Sequence, residues 1–222
     1  MNKTLKTDTQ LKADVLAELS YEPKVNVADI GVLVQNGAVT LNGFASSYAE
    51  KWEAVAAAKR VEGVRAIADD IRVNLPGTMA RTDGDIAESA ANRLRDSTTI
   101  PAGLAKITVA DGWITLEGEM EFWYQKAAAE DMVKFLPGVK GLSNRMTLQP
   151  TPPTPDVDAM IRAAFVRSGV LQTKNLEVES AGNSVILRGQ VRHFHEKEEA
   201  ERAAWSAAGV LSVDNQISIK WD

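Results

Sequence analysis

The stretch NGAVTLNG, Asn36 to Gly43, recurs as DGWITLEG, Asp111 to Gly118, and as GNSVILRG, Gly182 to Gly189. In each copy two turn-forming residues precede an apolar alternation that ends on glycine. The pairs Asn-Gly, Asp-Gly and Gly-Asn suit a two-residue type I′ turn, which needs positive φ at both positions. The sequence therefore predicts a hairpin turn and its second strand, three times over.

A common frame extends far beyond the hairpin. When the terminal glycines are aligned, a Gly-Val pair follows 20 residues later in every copy without a gap, as Gly63-Val64, Gly138-Val139 and Gly209-Val210. Eight residues further on, an apolar alternation begins at Ile71, Met146 and Ile217. A frame kept over about 65 residues indicates an internal repeat, and its period is that of a small domain.

The order of elements in each unit follows from the periodicity. A helix with one apolar face (Leu11, Val15, Leu16 and Leu19 in the first copy) precedes the two strands, and a second, alanine-rich helix precedes a third strand. Because a helix connects them, the second and third strands should run parallel. The fold class is α+β: three tandem αββαβ domains, each a three-stranded mixed sheet with two helices on one face. The pattern leaves the strand order open. Asp8, Asp83 and Thr154 are the expected N-caps of the first helices.

The domain bounds follow from this frame and from breaks in composition. After a polar tail at 1–7, we expect domains at 8–75, 83–149 and 156–222. The linker at 76–82 separates the first and second domains. The linker at 150–155 is rich in proline and should form a stiff, extended spacer.

Composition excludes several classes of protein. The chain has 222 residues, 45% hydrophobic and 25% charged, which is a globular composition. It has no cysteine, and its net charge of −5 argues against a nucleic-acid partner. The chain starts with polar residues, so the sequence predicts that it has no signal peptide. It contains no long apolar run, so the sequence predicts no transmembrane segment. The expected compartment is the cytoplasm, or the periplasm if the chain is a processed or truncated form.

The repeated motifs resemble the BON domain, a bacterial module named from osmotically inducible and nodulation proteins. The family pattern joins a G-x-V-x-L-x-G strand to an alanine-rich helix and then V-x-G-V-x-x-V-x-N-x-I/L-x-V. It is matched by GAVTLNG…VEGVRAIADDIRV, GWITLEG…LPGVKGLSNRMTL and NSVILRG…AAGVLSVDNQISI. Copy three has Asn183 for the first glycine, and copy one has Asp69 where the others have Asn144 and Asn215.

The resemblance implies a non-catalytic binding module associated with osmotic stress, envelope integrity and attachment to phospholipid surfaces. It implies no cofactor, and a phospholipid surface or an envelope protein as partner. Two alternatives stay open: a soluble protein–protein scaffold or stress protein without lipid contact, and a sensor of a small ligand or ion. The expected structural residues are those of the hairpin turns and strand ends: Gly37, Gly43, Gly112, Gly118, Asn183 and Gly189.

The sequence offers little for catalysis or metal binding. The only histidines are His193 and His195, and a metal site would need His195 together with Glu198 or Glu199. The other copies carry nothing similar. We therefore predict no metal and no catalytic residue.

Two comparisons between copies give the candidate contact residues. An aromatic residue and a lysine three positions later recur on one helix face in every copy, as Tyr48/Lys51, Trp123/Lys126 and Phe194/Lys197. Such a pair could meet lipid headgroups, or the ring could be core with the lysine stem covering it. Because every unit has more acids than bases, contact with anionic lipid would have to come from a local patch.

The second comparison selects rings that the fold does not require. Trp113, Phe122 and Tyr124 stand where the other copies carry Ala, Ser or His. Together with Trp123 they are predicted to form one aromatic contact patch at one end of the second domain. Trp52 and Trp205 stand out in the same way in the first and third domains. Packing between neighbouring domains is the alternative for all these rings.

Overall fold

The computed structural model describes residues 6–152, 154–169, 171 and 175–220, which form three copies of one α+β unit. In the first, the helices are α1 (Asp8–Tyr21) and α2 (Tyr48–Arg60), and the strands are β1 (Ile30–Gln35), β2 (Ala38–Ala45) and β3 (Ala66–Val73). The strand β2 lies at the centre, antiparallel to β1 and parallel to β3. The predicted parallel pairing is confirmed.

The second and third domains repeat this order, with the last strand interrupted. Domain two contains α3 (Asp83–Arg95), β4 (Lys106–Ala110), β5 (Trp113–Glu117), β6 (Glu119–Met120), α4 (Trp123–Val133), β7 (Gly141–Asn144) and β8 (Thr147–Leu148). Domain three contains α5 (Val157–Arg167), β9 (Leu176–Ala181), β10 (Ser184–Val191), α6 (Phe194–Trp205), β11 (Ser212–Asn215) and β12 (Ser218–Ile219). The strands β5 and β10 are again central.

Each domain has its own core between the helices and one face of the sheet. In the first domain Leu11, Val15 and Leu19 of α1 pack against inward residues of the central strand, including Val39 and Leu41. The alternate residues of each strand face outward, as the period of two requires. Both helices therefore cover the same face of the sheet, as predicted.

The predicted N-caps are wrong in all three copies. Thr7 and Thr82 cap α1 and α3, and the cap position of α5 is Asp156, which has a left-handed backbone. Asp8 and Asp83 are the first residues of their helices. Their carboxylates accept hydrogen bonds from both turn amides of the neighbouring hairpin, for example Gly37 N at 3.1 Å and Gly112 N at 2.8 Å. A short acidic side chain here fixes the hairpin tip to the helix.

The hairpin turns are type I′, as predicted, in two copies of three. Both turn residues have positive φ at Asn36-Gly37 and at Asp111-Gly112. In the third copy only Gly182 does, with φ 62°, which is the order of signs in a type II′ turn. Asn183 instead uses its amide to donate to the backbone carbonyls of Thr151, at 2.9 Å, and Gly209, at 2.6 Å.

The proline-rich segment lies against the third domain at its described residues. Besides the bond from Asn183 to Thr151, the Thr154 hydroxyl donates to the carbonyl of Ala208 at 2.8 Å. A Cβ on Gly209 would lie 2.6 Å from Thr154 Oγ1. The segment is thus packed onto the domain that follows it.

Candidate functional site

The structure separates Trp113 from the other three predicted patch residues. Trp113 is the first residue of β5, whereas Phe122 lies beyond β6, at the other end of the same extended segment of chain. At the rise of an extended chain the two residues lie roughly 25 Å apart. The expectation of a single four-ring patch is therefore wrong, because the strand carries its first residue away from its last.

Trp113 lies on the outer face of its own sheet. Its indole N–H donates to Ser143 Oγ at 2.9 Å, and its ring covers Gly141, where a Cβ would come within 2.3 Å of the ring. The side chain is still 48% exposed. Trp113 therefore has a local packing role, and its place in ligand contact stays a prediction.

Phe122 and Tyr124 form an exposed stacked pair at the start of α4. Their ring centroids lie 5.5 Å apart with the planes inclined by 15°, and the two residues are 44% and 53% exposed. The same positions hold Ser47 and Ala49 in the first domain, so the fold does not require rings there. In the third domain they hold His193 and His195, whose rings also stack, at 5.2 Å.

The aromatic residue between these two positions lies at a domain junction in every copy. Tyr48 packs against the core of the second domain, and Phe194 packs against the cores of the first and third. Trp123 stacks on Trp205 of the third domain, with centroids 6.0 Å apart. Burial, followed by the nearby carboxylate of Glu130, raises the pKa of the Tyr48 hydroxyl. The junctions run in a cycle: first to second, second to third, third to first.

Further side chains complete two of these junctions. Trp52 meets Phe135 edge to face at 5.9 Å, and Lys134 Nζ lies 4.6 Å from the centre of the Trp52 ring. Between the third and first domains, Lys59 Nζ lies 2.6 Å from Glu198 Oε1. The repeat frame singled out Trp52 and Trp205 as unusual rings, but it gave no signal for Phe135 or Lys134.

The three repeated lysines have contacts within their own domains. Lys51 and Lys197 donate to the carbonyls of Ile71 and Ile217, at 2.7 and 2.8 Å, and so join α2 and α6 to the last strand. Lys126 is half-buried, and its backbone carbonyl accepts from Asn144 Nδ2 at 2.9 Å. These contacts describe a structural role, and the predicted headgroup contact stays a prediction.

A buried polar side chain that the sequence reasoning missed fixes the start of the second helix in each domain. In the first domain Glu50 accepts from Asn26 N at 2.8 Å and from Ser46 N at 2.7 Å. Burial alone would raise the pKa of this carboxyl, but the hydrogen bonds from Ser46 and Asn26 bring the pKa below its usual value. Gln125 and Glu196 take the same position, the third residue of their helices, and accept from the N-cap backbone N–H groups of Phe122 and His193, at 3.1 and 3.2 Å.

A cleft of about 400 Å³ lies between the second and third domains. Its lining includes Phe122, Trp123 and Tyr124 from one side and Trp205 and Arg202 from the other. Glu121 and Thr151 also line it. Of the predicted patch, the structure thus brings three rings together at a domain junction and adds a fourth, Trp205.

The histidines do not gather metal ligands around them. Glu198 is paired with Lys59, and Glu199 accepts two bonds from Arg202. Within the described ranges, no group of three His, Cys, Asp or Glu side chains could hold a metal ion. In the same part of the chain, no helix has the length and apolar character needed to cross a bilayer.

Comparison with known proteins gives a family match along almost the whole chain. The sequence profile of the BON domain matches residues 7–74, 82–150 and 154–220. The osmotically inducible protein Y of Escherichia coli strain K12 is 34% identical over 142 residues, which are 62% of this chain and 70% of that protein.

Among solved structures, two of CdsD, a structural protein of the type III secretion system of Chlamydia trachomatis, align with most of the chain. One, the C-terminal domain, is 14% identical, with 97% of this chain and 100% of that chain covered and a TM-score of 0.27. The other is 13% identical, covers 92% and 90%, and has a TM-score of 0.25. These scores support no conclusion about fold or function.

Proposed function

The chain belongs to the BON domain family, and from this premise we propose that it is a non-catalytic binding protein that contacts phospholipid surfaces through Phe122 and Tyr124. The observation that carries the proposal is the exposed stacked pair itself. Rings left in water cost solubility and are usually retained for a partner. The first domain folds in the same way with Ser47 and Ala49 at these positions.

The charges of the chain indicate the kind of membrane that the pair would contact. Glu121 directly precedes Phe122, and the chain has a net charge of −5. The amines of Lys51 and Lys197 are engaged with backbone carbonyls. Contact should therefore depend on insertion of the rings at the headgroup level rather than on attraction to anionic lipid. We expect binding to zwitterionic vesicles to be at least as strong as binding to anionic ones.

The test is flotation of the whole chain with phosphatidylcholine vesicles. The variant Phe122→Ser with Tyr124→Ala installs the residues of the first domain and should lose flotation, while its melting temperature stays within a few degrees. The matched control is Phe44→Ser, which removes a ring that is 54% exposed on the sheet of the first domain and should float like the wild type.

Two results would contradict the proposal. Flotation of the double variant at the wild-type level would place the contact elsewhere. Flotation that appears only with anionic vesicles and disappears in high salt would mean that charge, not ring insertion, drives attachment.

A further inference from the structure

The cleft between the second and third domains combines features of a small-ligand site. At about 400 Å³ it lies within the size range of such sites, and it is formed where two domains meet. Four aromatic side chains line it: Phe122, Trp123, Tyr124 and Trp205. They stack in two pairs, Phe122 with Tyr124 and Trp123 with Trp205.

The sister junctions indicate what these rings can bind. Trp205 occupies the repeat position of Lys59 and Lys134. At the first junction Lys134 supplies a cation to the face of Trp52 at 4.6 Å, and at the third junction Lys59 pairs with Glu198. At the second junction a ring replaces the lysine. At this position of the second junction the protein thus supplies an aromatic ring where the other two junctions have a cation.

The local charge also favours a cation. Glu121 lines the cleft, and the guanidinium of Arg202 is held by both carboxylate oxygens of Glu199, at 2.8 and 2.6 Å. The three charges sum to one negative charge beside four electron-rich rings. Aromatic rings with a carboxylate are the surroundings in which proteins bind methylated ammonium groups.

The cleft also has donors for an anionic group. Thr151 lines the cleft, and its hydroxyl oxygen is shielded from solvent and has no hydrogen-bond partner. A buried hydroxyl left in this way calls for an acceptor, such as a ligand oxygen or a water molecule. The bonds to Glu199 use Nε and Nη2 of Arg202, so Nη1 lies outside them.

We propose that this cleft binds a small zwitterion that carries a methylated ammonium group and a carboxylate or phosphate. The ammonium lies against the rings and Glu121, and the anionic group accepts from Thr151 and Arg202. This chemistry occurs both in free solutes and in choline headgroups. The proposal goes beyond membrane contact, because it predicts binding in buffer that contains no lipid.

The first experiment titrates the full chain with trimethylglycine and, in parallel, with 3,3-dimethylbutanoate, in which carbon replaces the charged nitrogen. Calorimetry should show one trimethylglycine per chain and affinity about tenfold or more above that of the carbon analogue. Equal affinity for the two compounds, or no saturable binding of trimethylglycine, would overturn the proposal.

The second experiment separates ring chemistry from apolar surface. Trp205→Leu should weaken trimethylglycine binding about tenfold, whereas Trp205→Phe retains a ring and should weaken it less. Because Trp205 also packs on the core of the third domain, each variant is first checked for an unchanged circular dichroism spectrum. If the folded Leu variant binds like the wild type, the rings do not hold the cation.

The third experiment tests the anionic end. Thr151→Val should lower the affinity about fivefold to tenfold, while Thr115→Val, on β5 outside the cleft lining, should not change it. Unchanged affinity in Thr151→Val would show that its hydroxyl does not meet the ligand and would overturn this part of the site.

A last comparison identifies the source of the ligand and keeps the two proposals apart. Tighter binding of phosphocholine than of trimethylglycine would indicate a headgroup, and the reverse order a free solute. The Thr151→Val variant keeps both exposed rings, so it should still float with vesicles. Loss of solute binding with flotation intact would leave membrane contact standing, and loss of flotation in Phe44→Ser would count only against that proposal.

Discussion

The first and second domains share one fold but secure the start of the second helix with different chemistry. In the first, the Glu50 carboxylate accepts at both oxygens, from Asn26 N and from Ser46. In the second, one oxygen of Gln125 accepts from Glu121 N and Phe122 N, both at 3.1 Å, and the amide nitrogen donates to the Thr99 carbonyl at 3.4 Å.

The difference follows from one residue outside the helix. Pro101 occupies the repeat position of Asn26 and has no N–H to donate. A second carboxylate oxygen would find no donor on that side, whereas an amide can reverse the direction of the bond. The difference between Asn26 and Pro101 in the loop thus decides whether glutamate or glutamine suits the buried helix position, while the fold of the domain stays the same.

The largest expected effect on stability concerns the glycine that ends the central-strand motif in both domains. Gly43 and Gly118 have φ of 111° and 143°, and a Cβ on either would lie 2.1 Å from a backbone oxygen, of Asp29 or Leu104. Replacement of either by Ala should lower the free energy of unfolding by about 3 kcal/mol or more, from backbone strain and overlap together. Urea titration measures the change.

The control for this prediction is Gly84→Ala, in the first turn of α3, where a Cβ meets nothing closer than 3.7 Å. It should leave stability unchanged or raise it by about 0.5 kcal/mol, because alanine is the better helix former. If Gly118→Ala matched this control, the glycine at the end of the motif would not be a structural requirement.

An intermediate effect is expected from exchanging the two caps. Glu50→Gln turns a donor toward the donor of Asn26 or Ser46, and Gln125→Glu places a carboxylate against the Thr99 carbonyl. Each variant should be destabilised by about 1–3 kcal/mol, although each residue is native in the other domain. If both exchanges were neutral, the direction of these bonds would not matter.

The comparison of Glu50 with glutamine at the same position also predicts how stability depends on pH. Because the folded pKa of Glu50 is lowered, its contribution to stability is present above the ordinary carboxyl pKa of 4.5 and is lost as the pH falls through the folded value. Glu50→Gln should therefore lose less stability than the wild type between neutral and acid pH. Melting curves across this range give the comparison, and parallel losses in the two proteins would contradict it.

The smallest effect on stability is expected where the second domain departs most visibly from the first. Phe122→Ser with Tyr124→Ala should change the free energy of unfolding by no more than about 0.5 kcal/mol, because both rings are exposed. Urea titration of the variant beside the wild type is the measurement. A loss of 2 kcal/mol or more, a size typical of buried positions, would show that the pair belongs to the junction with the third domain.

Most of the fold could be predicted from the sequence because the three copies of the repeat show which residue types each position accepts. The parallel pairing of β2 with β3 followed from the helix between them, and Leu11, Val15 and Leu19 are buried as their spacing indicated. In the first two domains the predicted N-caps were wrong because a threonine and an aspartate stand side by side, and either can cap a helix. Only the structure shows that the aspartate is engaged with the hairpin amides.

The candidate site was less accessible to sequence reasoning. Comparison of copies selected Phe122 and Tyr124 because the other domains carry no aromatic pair of this kind there, but it joined them to Trp113, which lies at the far end of a strand. The contact of Trp123 with Trp205 depends on how two domains pack. No sequence pattern within a single repeat shows how two domains pack together, so the cleft between them could not be predicted.

The cyclic order of the junctions has a consequence for how firmly the molecule holds together. Lys59 and Glu198 are 139 residues apart in the chain, and a surface ion pair of this kind contributes only about 0–1 kcal/mol. With the other two junctions formed, its partners are tethered at an effective concentration of order millimolar. A contact too weak to join free domains can thus persist here. We therefore expect that any one junction can open and close again without a diffusional search, because the other two junctions keep its two sides close together.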